Sequence, residues 1–118
     1  MTDENKTLGN ILVSHRAIAT VACQTALSSY GVVGMAAKNL ANGIANVLLK
    51  DPTNGVEVRY DGSLVDLDIY VVLEYGTRIK SVASTIAHQV QYQVETTFGL
   101  KVNRVNIHVR GLRISDID

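Results

Sequence analysis

The sequence has no tryptophan, and cysteine and proline occur once each. A lone Cys23 cannot close an intrachain disulfide, and a small exported domain commonly needs one, so a reducing cytoplasm is the expected compartment. Cys23 stands among Val21, Ala22 and Ala26 in a helical pattern, which marks it as a small buried apolar residue. Charge of one sign is also missing: Lys and Arg together number 11, Asp and Glu 11, and the net charge is zero. That argues against nucleic acid or anionic lipid as a partner, because a basic patch is their usual electrostatic footprint. No apolar run approaches the roughly 18 residues of a membrane-crossing helix. The longest, Ile69 to Leu73, has only strand length. The N-terminal MTDENKT has neither the basic nor the apolar region of a secretory signal, so no direct membrane insertion is expected.

What is present is a single domain of 118 residues, with an ordered core expected over about 8–114. Leu8 to Val13 reads as a strand. Ser14 is a helix N-cap, followed by Ile18, Val21, Ala22 and Thr25 at helical spacing as far as about Tyr30. Beyond Gly31 and Gly34, a second helical set comprises Leu40, Ile44, Val47 and Leu48 and ends at the breakers of KDPTNG. Val56, Val58 and Tyr60 then alternate with polar residues, and Asp61-Gly62 signals a hairpin. In SLVDLDIYVVLEYG, Val65, Leu67, Ile69, Val71, Leu73 and Tyr75 share one face, and Asp66, Asp68, Tyr70, Val72 and Glu74 the other. Ile79, Val82, Ala83, Ile86, Val90, Val94 and Phe98 form a helical stripe closed by Gly99. Val105, Ile107 and Val109 point inward in a last strand, where Gly111 marks a bulge. The expected fold is α+β: strand–helix–helix–strand–strand–helix–strand, two layers, a mixed sheet with helices on one face.

Catalytic chemistry finds no support. His15, His88 and His108 fall on different elements at no metal-ligand spacing, so no metal and no cofactor is expected. Asp66 and Asp68 share a strand face, but an open face is no acid–base cleft. Arg59, Arg104 and Arg110 are available there as ion-pair partners. Gly31-Val32-Val33-Gly34, between two helical stretches, is similar to the backbone-clamping loop of a K homology RNA-binding domain. It lacks Lys or Arg between its glycines, so a structural role is favoured: Gly31 ends one helix, the valines dip into the core, and Gly34 starts the next. Single-stranded RNA binding stays as the alternative. The outer face of the third helix carries His88, Gln89, Gln91, Tyr92 and Gln93, polar but uncharged where Lys and Glu are usual. With Tyr70 and Val72 on the outer sheet face, Gln89, Tyr92 and Gln93 are the candidate protein-contact residues.

Taken in order, GNILVSHRAIATVACQTA, YGVVGMA, VDLDIYVVLEYGTRI and VETTFGLKVNRVNIHVRGL make the chain resemble the alkaline shock protein family of envelope stress response proteins. The resemblance covers Gly9 to Leu112. It implies a cytoplasmic, non-enzymatic protein that serves the cell envelope and acts through protein partners. The partners that the resemblance implies are a membrane-anchored protein or a dihydroxyacetone-kinase-like protein, and further copies of the chain. The family has no agreed catalytic residues, so none is implied here.

Overall fold

The computed structural model describes residues 14–38 and 51–114. The strand expected over Leu8 to Val13 and the helix expected around Leu40 to Leu48 lie outside the described residues. Ser14 caps helix α1 (His15–Leu27), its Oγ accepting a hydrogen bond from Ala17 N at 3.0 Å. Strand β1 (Val32–Met35) follows. A 3-10 turn (Pro52–Gly55) leads into β2 (Val56–Tyr60), and the Asp61-Gly62 turn leads into the long β3 (Leu64–Glu74). Helix α2 (Ile79–Phe98) ends at Gly99, whose φ of 70° is the left-handed cap that glycine adopts without strain. β4 (Lys101–Arg113) completes the described chain.

The alternation read from β3 organises everything else. Val65, Leu67, Ile69, Val71 and Leu73 have no exposed surface and form the floor of the core. Over them lie Ile18, Ala22, Cys23 and Ala26 of α1 and Val82, Ile86, Val90 and Val94 of α2. Both helices therefore cover one face, and the fold is the expected two-layer α+β. Tyr75, placed in the core by alternation, is 66% exposed because β3 ends at Glu74 and the chain turns away.

The four-stranded sheet is mixed. β4 runs parallel to β3 from Leu64↔Lys101 to Glu74↔Arg113, with α2 as the crossover. One register irregularity falls between Val109 and Gly111, where the bulge was expected. The other edge of β3 is shared: β2 pairs antiparallel with Val65 to Ile69, and β1 pairs antiparallel with Val71 to Leu73. Where β1 and β2 meet, a Cβ on Gly55 would lie 2.9 Å from the Ala36 carbonyl oxygen, so only glycine fits the joint.

That arrangement corrects the reading of Gly31 to Gly34. Gly31 does turn the chain, with φ of +88°, but Val32, Val33 and Gly34 belong to a strand and no helix begins at Gly34. Gly34 lies opposite Val72, and an irregularity at Val33 sends its side chain to the outer face. The helix–loop–helix geometry of a phosphate-clamping loop is absent from these residues.

Candidate functional site: an uncharged helical groove backed by a locked sheet

α2 presents Ser84, Thr85, His88, Gln89, Tyr92 and Gln93 to solvent without a single Lys, Arg, Asp or Glu among them. Against this face lies the C-terminal half of α1. Gln24, Thr25 and Ser28 join His88, Gln89, Tyr92 and Gln93 around an open groove of about 620 Å³. A half-buried contact ties the two helices at the groove: the Ser29 hydroxyl, shared with Thr25 O, donates to Gln89 Oε1 at 2.9 Å. Tyr92 is 64% exposed on its rim, so an aromatic ring and several amides face water with nothing of the described chain over them. Amides and hydroxyls can pair with donors or acceptors alike, and a rigid aromatic side chain contributes contact area at low entropic cost.

The outer face of the sheet is built differently. Parallel register sets Asn106 beside Asp68 and His108 beside Tyr70. Asp68 Oδ2 receives the Arg59 guanidinium at 2.6 Å, and Oδ1 accepts from His108 Nε2 at 2.9 Å and Asn106 Nδ2 at 3.1 Å. Burial pushes the Asp68 carboxyl up, but the bonds from His108, Arg59 and Asn106 outweigh it and hold the group below the usual carboxylate range. The ring of His108 stacks on Tyr70, 4.5 Å between centroids, and the Arg110 guanidinium lies 5.1 Å from the same ring. Arg110 reaches Tyr70 because it is the extra residue of the β4 bulge. It also donates to Lys38 O at 3.2 Å.

The five residues expected to make a contact surface therefore separate. Gln89, Tyr92 and Gln93 come together in the groove. Tyr70 is only 7% exposed and Val72 not at all, packed with Ala36 and Val33 in a second small cluster. Their expected exposure is corrected: cross-strand neighbours, not solvent, cover them. The ion pairing of Asp68 with Arg59 follows the expectation, whereas Asp66 accepts from Asn103 at 3.0 Å and not from an arginine. The pocket-forming half of α1, Gln24 to Ser28, escaped sequence reading. Its signal was the same as in α2, a helix surface without charge. Among the described residues no three His, Cys, Asp or Glu side chains gather as metal ligands. Asp68 and His108 touch, but every bond of the carboxylate is spent on structure and Cys23 is buried in the helix layer.

A small α+β module with helices on one face, whose accessible feature is a polar uncharged groove, defines the class. The chain belongs to the alkaline shock protein family, described as having a cell envelope-related function, whose model matches residues 3–114. It is similar to the Bacillus subtilis protein YloU, 41% identical over 110 residues and covering 92% of each chain. It is also similar to the Streptococcus pyogenes protein Spy1614, 32% identical over 108 residues, covering 90% of this chain and 89% of that one. Among solved structures, the MamM CTD in copper form superposes with a TM-score of 0.52 at 15% identity, covering 88% of this chain and 92% of that one. A zinc form of a MamM CTD variant gives 0.51 at 15% identity, covering 85% and 88%. That likeness is one of fold.

Proposed function

We propose that this chain is a non-enzymatic, cytoplasmic protein-interaction module of the cell envelope, and that its partner docks in the groove between α1 and α2. The observation that carries the reading is the solvent-facing side of α2 from Ser84 to Gln93, uncharged and bearing an exposed Tyr92. A helix surface kept only for solubility is normally charged. A surface depleted of charge and supplied with tyrosine has the composition of an interface core. Family membership supplies the envelope, and a single buried cysteine suits a reducing compartment. Among the described residues no helix is long and apolar enough to cross a membrane. A membrane-anchored protein is therefore the partner we favour, with a dihydroxyacetone-kinase-like protein and a further copy of the chain as the other occupants.

The test is recovery of the tagged protein from its own host, with and without RNase, for wild type and for Tyr92→Glu. Tyr92 is itself mostly exposed, so folding stability should stay within about 0.5 kcal/mol of wild type. Partner recovery should fall by about tenfold or more, since an aromatic anchor at an interface centre commonly contributes over 1 kcal/mol. Undiminished recovery with Tyr92→Glu would remove the groove from consideration. Loss of all partners on RNase treatment would do the same for the protein-interaction reading.

A further inference from the structure

β3 is flanked on one side by β1 and β2 and on the other by β4, and among the described residues β4 has no partner strand on its far side. An unpaired edge offers a row of N–H and C=O groups to any extended chain. Between the two register irregularities of β4, Arg104 to Val109 pairs with Asp66 to Val71 without interruption. That regular window is about 20 Å long at the ordinary strand rise.

Two features specify what fits it. Val105, Ile107 and Val109 point inward yet are only partly buried, whereas Leu67, Ile69 and Val71 beside them are wholly covered. The core thus stops short at this rim, and apolar side chains from an added strand would extend it. β4 also carries Lys101, Arg104, Arg110 and Arg113 and no carboxylate. None of the four forms an ion pair among the described residues. Antiparallel pairing of β4 with a second copy about Ile107 would set Arg104 opposite Arg110 and Lys101 opposite Arg113, and like charges directly opposed destabilise a ladder. Acidic side chains in those places would do the reverse. Nucleic acid fits less well, because Tyr70 on that face is nearly buried, packed against His108 and Arg110, and offers little ring for a base to stack on.

We propose that the open edge of β4 is a second docking site, separate from the helical groove, that takes an extended protein segment with acidic and apolar side chains in alternation. The segment adds as a fifth strand, its acids beside Arg104 and its neighbours on the outer face, its apolar residues beside Val105, Ile107 and Val109. Backbone hydrogen bonds supply affinity and the two side-chain rows supply selectivity.

The full chain is titrated against a fluorescein-labelled peptide of about ten residues alternating Glu with Val, the usual reach of a strand. Its comparators are the same composition scrambled, a version with Lys for Glu, and single-stranded RNA of similar length. The alternating acidic peptide should bind about tenfold or more tighter than each comparator, with affinity falling as salt rises. Arg104 is exposed, so Arg104→Glu keeps the fold and should shift preference to the Lys peptide. Amide protection should appear at alternate residues within Arg104 to Val109. Equal binding of the scrambled peptide, preference for RNA, unchanged selectivity in Arg104→Glu, or amide changes confined to α1 and α2 would each overturn the proposal.

Discussion

Asp68 carries most of the polar chemistry of the outer sheet face on a side chain only 10% exposed. Its carboxylate accepts from Arg59, His108 and Asn106 together, so replacing it by Asn removes charge-assisted bonds without removing volume. Asp68→Asn should cost about 1–3 kcal/mol at pH 7 by urea denaturation. The folded-state pKa lies below the unfolded one, so this stabilisation is present above the unfolded value and lost as pH falls through the folded one. The gap between wild type and variant should therefore begin to close as pH approaches about 3.9, and it should keep closing below that. A gap constant from pH 7 to pH 3 would mean the carboxylate's charge is not what stabilises. Arg59 was legible in the sequence as a partner, because the Asp61-Gly62 turn fixes the hairpin register. His108 and Asn106 were not, since their places depend on a parallel register across a twenty-residue helix.

Elements with a long period announced themselves, and the short one did not. β3 shows five consecutive inward positions at zero exposure, and α2 shows four buried residues at helical spacing, both read directly from periodicity. β1 has only four residues, VVGM, too few to display alternation. It is a strand because Leu73, Val72 and Val71 offer an edge to pair with, a cause that local sequence does not contain. The joint between β1 and β2 gives this a measurable form. Gly55→Ala drives a methyl group against the Ala36 carbonyl and Met35 Cβ, at 2.9 Å and 3.0 Å, where backbone cannot yield cheaply. It should destabilise by about 1–3 kcal/mol, read as a lowered denaturation midpoint with an unchanged slope. A neutral outcome would show that β1 and β2 do not abut as described.

At the scale of the whole molecule, each surface of the sheet is disposed of in its own way. Among the described residues, helices cover the inner face, the Asp68 and Tyr70 contacts pack the outer face, two short strands share one flank of β3, and β4 lies along the other with no strand beyond it. Among the described residues, the groove pairs an uncharged helix face with an exposed tyrosine, and the far side of β4 pairs unpartnered backbone with four cations. The shared edge also has a consequence in time. Of the pairings made by β3, only the hairpin with β2 is local; those with β1 and β4 each join residues about forty apart, and such contacts form slowly. The Asp61 carboxylate, accepting from Ser63 N at 2.9 Å and Leu64 N at 3.1 Å, holds the one turn that can form early. Asp61→Ala should then slow folding in stopped-flow experiments and leave unfolding nearly untouched, while Met35→Ala in β1 should mainly hasten unfolding. If the two substitutions exchange these effects, β1 docks before the hairpin closes. A joint that looks static in the sheet is, on this reading, the last seam to shut and the first to open.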